Sequence, residues 1–152
     1  MRLTIASVGR FRGGPQQALF AEYASRLPWS LDLKEVEEKK PLKGDKRKMR
    51  EAELLANAIP GGAKLIVLHE HGRTYDSPGF AKLLGDFADD GVADVAFLIG
   101  GADGHSQSTL DNADILLSLG SMTWPHLMVR GMLTEQIYRA SSILSNHPYH
   151  RA

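Results

Sequence analysis

Apolar runs of strand length alternate along the chain with longer stretches in which apolar residues return every three or four positions. That rhythm predicts βαβ units and a mostly parallel sheet. The first run, Leu3 to Val8, turns through Gly9-Arg10-Phe11-Arg12-Gly13-Gly14 into a helix that Pro15 can open and that runs towards Leu27. Leu31 to Val36 alternates apolar with charged residues, the pattern of an edge or half-exposed strand. A helix carrying Leu54, Leu55 and Ile59 follows and ends at Pro60-Gly61-Gly62. Ala63 to Leu68 reads as a third strand before a polar loop, and Ser77-Pro78 as the cap and first turn of a helix through Phe87.

Val92 to Ile99 is nearly all apolar, which predicts a strand buried on both faces. It empties into Gly100-Gly101-Ala102-Asp103-Gly104, and a short polar helix follows. Ile115 to Leu119 is the fifth strand. A long last helix is expected from about Leu127 to Ser145, where Met128, Met132, Leu133, Ile137, Ala140 and Leu144 recur at helical spacing.

At 152 residues and 43% apolar content, the whole span 1–152 suits a single domain with one core. Its 18 basic and 18 acidic side chains cancel, so any contact with a polyanion must come from local charge. The absence of cysteine removes disulfides, thiolate metal sites and cysteine nucleophiles together. The opening Met1 to Gly9 is too short an apolar run for a signal segment or membrane span, so a cytoplasmic protein without membrane contact is expected.

Glycine turns just past strand ends are where open α/β sheets bind ligands. The turn at Gly100 and the later turn Gly120-Ser121-Met122-Thr123-Trp124-Pro125 leave successive strands, so they can line one pocket. Apolar side chains and backbone amides there suit a nucleoside, although Trp124-Pro125 can equally serve to pack the turn onto the core. Neither turn is a G-x-G-x-x-G fingerprint, and the chain has no phosphate loop and no G-x-S-x-G elbow. His69 with His71 and His147 with His150 supply at most two ligands each, so no metal site is expected.

The basic run Lys39, Lys40, Lys43, Lys46, Arg47, Lys48 and Arg50 reads either as a phosphate-tracking patch or as a solvated helix face. The preceding Glu35, Glu37 and Glu38 dilute its field. The tail His147-Pro148-Tyr149-His150-Arg151 concentrates a stacking ring, imidazoles and a guanidinium suited to a nucleotide.

Three segments, Phe97 to Gly104, Val129 to Ala140 and His147 to Arg151, resemble in order and spacing the RlmH family of SPOUT-class ribosomal pseudouridine methyltransferases, and the resemblance spans essentially the whole chain. It implies a mostly parallel sheet of five or six strands with helices on both faces and a C-terminal trefoil knot, which periodicity alone would not propose. It further implies a homodimer that binds S-adenosylmethionine and methylates N3 of a pseudouridine in the helix 69 loop of 23S rRNA on the ribosome. Cofactor contacts then fall on Leu68, Gly100, Gly101, Gly120, Ser121, Met122, Thr123, Trp124 and Pro125. Tyr149, His150 and Arg130 become the catalytic candidates, and His126, Arg139, His147 and Arg151 the substrate contacts, with the tail coming from the partner subunit. A non-catalytic ribosome-binding factor of the same fold, and a related enzyme for another rRNA or tRNA site, remain as alternatives. The chain departs from the family's usual Leu-Asp at Leu68-His69 and from its Pro-His-Pro-Leu-Val-Arg at Pro125 to Arg130.

Overall fold

Strand and helix alternate from end to end: β1 (Arg2–Val8), α1 (Pro15–Ala24), β2 (Ser30–Val36), α2 (Gly44–Asn57), β3 (Lys64–Arg73), α3 (Ser77–Asp89), β4 (Asp94–Ile99), α4 (Gln107–Asn112), β5 (Ile115–Leu117) and α5 (His126–Leu144), then a short 3-10 turn, Pro148–His150. The computed structural model describes residues 1–151; Ala152, at the end of the tail, lies outside the described residues. The five strands form one sheet in the order β2-β1-β4-β3-β5, and every pairing is parallel. β4 sits in the middle and is buried from Val95 to Ile99, as its unbroken apolar run predicts, while the alternating β2 takes an edge.

The two-residue period of a strand divides the core between the faces. Leu3, Ile5, Ile66, Phe97 and Ile99 pack with α3 and α5 through Phe80, Leu84, Leu133 and Ile137. Ala6, Val8, Val67 and Leu98 point the other way, onto Leu55 of α2. Helices therefore cover both faces. With all strands parallel, their C-terminal ends gather on one rim.

Two local expectations are corrected. β3 does not stop at Leu68 but continues to Arg73, passing an irregularity in its pairing with β5. His69, Glu70, His71 and Arg73 read as loop because the strand there has passed the rim, where polar side chains meet water. At α3 the cap is Asp76, whose carboxylate accepts from Gly79 N–H at 2.8 Å, and Ser77 is already helical.

β5 lies beyond β3, whereas the start of α5 lies against β1: a Cβ on Gly9 would come within 2.9 Å of His126 Cε1. The intervening segment, Ser118 to Pro125, therefore crosses the rim over the ends of β3 and β4. That crossing makes the roof of the site.

Candidate active site

A cleft of about 450 Å³ opens under this crossing. Leu68, Gly100, Gly101, Gly120, Met122, Thr123 and Trp124 line it, together with His126. The two glycine turns expected to share a pocket do share one. Ser121 and Pro125 belong to the crossing but do not line the cleft. A larger hollow, about 760 Å³, lies on the other side of Gly120 among Tyr23, Tyr75, Phe80 and Glu135. It touches none of the β4 turn, so the smaller cleft is the better candidate.

The turn after β4 is tightly built. Gly104 N–H donates to Gly101 O at 3.0 Å, and a Cβ on Gly101 would meet Val8 Cγ1 at 3.0 Å and Glu51 Oε2 at 3.2 Å, so a side chain there would have to push both neighbours back. Glu51, on α2, is 4% exposed and its Oε1 has no partner among the described residues. Burial raises its pKa, the nearby Arg47 opposes the shift, and Asp103 adds to it. His105 ends the turn and lines the cleft floor. Burial first, and then neighbouring His69, push its pKa down to about 4, against the backbone carbonyls of Leu98 and Leu68. At neutral pH it is an uncharged ring.

The crossing is anchored at both ends. Ser118 N–H donates to Arg73 O at 2.9 Å, its hydroxyl donates to Glu70 O at 3.1 Å, and it accepts from Gly120 N–H at 3.1 Å. At the far end, Arg130 is 0% exposed and donates to Glu35 Oε2 at 2.8 Å, Gly9 O at 2.9 Å and Val8 O at 3.2 Å, while its guanidinium stacks 4.5 Å from the Phe11 ring centre. Arg130, which the sequence reading gives a catalytic role, does not line the cleft of its own chain. A guanidinium enclosed by the β1–β2 corner has no face toward the cleft; it braces the start of α5. His126, one turn earlier, is half-buried, and burial followed by the charge of Arg130 lowers its pKa, which leaves it neutral.

None of Arg139, His147, Tyr149, His150 and Arg151 lines the cleft of its own chain. The tail folds back on α5 instead. Tyr149 donates to Glu135 Oε1 at 2.9 Å and lies 3.2 Å from the Tyr23 hydroxyl, and Arg139 pairs with Glu135 at 2.6 Å beneath the Tyr149 ring. Burial and these hydrogen bonds raise the Tyr149 pKa, so it remains a neutral phenol. His150 Nδ1 is buried and unpartnered among the described residues.

His105 and Glu51 are site or near-site residues that pattern reading passed over, while Lys48 of the basic run and Asp103 of the glycine turn both line the cleft. Glu51 left a signal, since it stands four places before buried Leu55 on the same stripe of α2. His105 left none beyond its place after the glycine turn.

A parallel sheet with a glycine-walled cleft under a rim-crossing segment defines a class that other proteins share. The family model described as "Predicted SPOUT methyltransferase" matches residues 1–150. A solved structure titled as a probable methylase family protein from Haemophilus influenzae Rd KW20 has the same fold, with a TM-score of 0.56 at 9% identity over 99% of this chain and 70% of that one. The chain is 56% identical over 151 residues to the ribosomal RNA large subunit methyltransferase H of Paramagnetospirillum magneticum, covering 99% of each protein. Identity to the protein of the same name from Rhodospirillum centenum is 55% over 152 residues, the full length of both. The chain therefore belongs to the ribosomal RNA large subunit methyltransferase H family of SPOUT methyltransferases.

Proposed function

We propose that the protein transfers the methyl group of S-adenosylmethionine to N3 of a pseudouridine in the helix 69 loop of 23S rRNA, acting as a homodimer on the ribosome. The observation that carries this reading is the convergence of Leu68, Gly100, Gly101, Gly120, Met122, Thr123 and Trp124 on one cleft. Relatives named as large subunit rRNA methyltransferases support the substrate class. The whole span is taken to work as one domain, with the crossing from Ser118 to Pro125 forming part of a trefoil knot.

The cleft fits such a cofactor. Its volume of about 450 Å³ lies within the range of small-molecule sites. Leu68, Ile99, Leu119 and Trp124 offer apolar walls for a purine, and Asp103 at the rim offers a carboxylate for an ammonium group. When bound, S-adenosylmethionine supplies an electrophilic methyl on a sulfonium. The N3–carbon bond forms as the sulfur–carbon bond breaks, and the N3 proton must leave.

His126 is the imidazole assigned to that proton, because it lines the cleft and is neutral at pH 7. His105, with a pKa of about 4, is too weak a base. Tyr149, His150, His147 and Arg151 of the partner subunit are proposed to stack on and orient the base, with Arg139 alongside. The bonds from Tyr149 to Glu135 and Tyr23 support presentation of the tail as a braced unit rather than a loose end. Alignment of acceptor and methyl by such groups is worth on the order of 7–11 kcal/mol.

Nucleoside mass spectrometry of 23S rRNA from a deletion strain tests the reading: the N3-methylpseudouridine signal should vanish and return with the wild-type chain. A chain cut after Ser145 should keep its cofactor affinity and lose methylation. Loss of both together would overturn the assignment of the tail to substrate alone.

A further inference from the structure

We propose that the lysines from Lys39 to Lys48 form the surface on which the phosphate backbone of the substrate RNA lies while its target base enters the cleft; this rests on the RNA methyltransferase reading above. The charge of the segment depends on where the neighbouring carboxylates point, and each already has a partner, Glu38 accepting from the Lys40 backbone N–H at 3.0 Å. Glu35 accepts from buried Arg130 at 2.8 Å and from Phe11 N–H at 2.6 Å. Glu37 lies 3.5 Å from Arg10 Nε, and Glu38 pairs with Arg50 at 2.6 Å. Glu51 is on the buried side of α2, 3.6 Å from Arg47.

The lysines have no such partners. Among the described residues, Lys39, Lys40, Lys43, Lys46 and Lys48 form no ion pair. Only Asp45, in the first turn of α2, opposes them on that segment. All but Lys48 are well exposed, and Lys48, from the same segment, lines the cleft beside the Gly100 turn.

The side-chain chemistry selects the partner. Lysine ammonium groups are mobile point charges that suit phosphates spaced along a backbone and read no base sequence. In a chain with no net charge, this stripe supplies the local field that a polyanion needs. The place of Lys48 in the cleft wall favours RNA over an acidic protein, because the strand that delivers the base must pass its mouth.

The test replaces Lys39, Lys40, Lys43 and Lys46 together by Gln in the full chain and leaves Lys48 in the cleft wall. Binding to protein-free 23S rRNA is measured across about 50–200 mM salt, beside cofactor calorimetry and ribosome methylation kinetics. The slope of log affinity against log salt should become shallower by about 3, at about 0.7–0.9 per lysine. KM for ribosomes should rise about tenfold or more, with kcat and cofactor affinity held. Arg at the four positions should restore the slope, and Lys64→Gln, at the opposite end of the sheet, should leave it unchanged. If the fourfold variant loses thermal stability, the single substitutions are read instead, each shifting the slope by about 0.7–0.9.

An unchanged slope overturns the proposal. So does a loss seen on ribosomes but not on protein-free RNA, which would move the contact to an acidic ribosomal protein. A wild-type chain that methylates no ribosomal RNA, yet binds RNA through a lysine-dependent slope, would sink the enzymatic reading and leave the surface standing.

Discussion

The two turns that face the cleft leave parallel strands separated only by β3, yet they are built from opposite materials. The turn after β4 is pressed onto Val8, Glu51 and His105, and a methyl group at position 101 would crowd the first two at 3.0 and 3.2 Å. The turn after β5 stands in solvent: Met122 is 72% exposed and Trp124 39%, and the indole N–H makes a single 3.3 Å bond to Leu119 O. One wall exists before any ligand arrives, while the other has little to hold its side chains until a ring lies beneath them. Such a division places rigidity at the floor and adaptability at the roof.

The largest effect on this contrast should come from cutting the anchor of the roof. Arg130→Met takes the guanidinium from the carbonyls of Val8 and Gly9 and from Glu35, which keeps only the Phe11 N–H, and loss of one partner from a buried pair costs about 3–5 kcal/mol. Chemical denaturation should register that loss, and an effect below about 1 kcal/mol would show that the β1–β2 corner does not hold α5.

The floor should reveal itself through pH. His105 has a folded pKa of about 4, below its unfolded value near 6.5, so the unfolded chain binds the extra proton first. Its contribution to stability is full above pH of about 6.5 and is lost as pH falls towards about 4, by roughly 3 kcal/mol. Denaturation midpoints between those limits should fall in the wild type and flatten in His105→Asn.

The smallest change in stability should follow Trp124→Ala in the roof, below about 1 kcal/mol, because the ring is partly exposed and makes one weak bond. Cofactor affinity by calorimetry should nonetheless weaken about tenfold, which corresponds to about 1.4 kcal/mol. Equal losses in both measurements would erase the distinction between the turns.

Hydrophobic pattern made β1, β4, α3 and α5 legible, the strands as short apolar runs buried on both faces and the helices by apolar residues returning at the helical period. The sheet order was not legible, since parallel crossovers of similar length permit several orders. Polar residues misled in two opposite ways. His69 to Arg73 remain in a strand past the rim, and Arg130 lies wholly inside on a helix whose apolar positions suggested a plain core face. For the cleft, the glycine turns were readable because tight bends require glycine. The imidazole pressed behind them was not, and the carboxylate of Glu51 showed only as a polar residue on the buried stripe of α2, since such burial is a property of packing.

The Arg130 brace also sets the timetable of folding. Its partners, Glu35 and the carbonyls of residues 8 and 9, lie 95 to 122 positions upstream. During translation these partners cannot receive their guanidinium until the last helix leaves the ribosome. Maturation of this small protein is therefore held back by its longest loop closures, and a pulse of unfolded chain should recover slowly for its size.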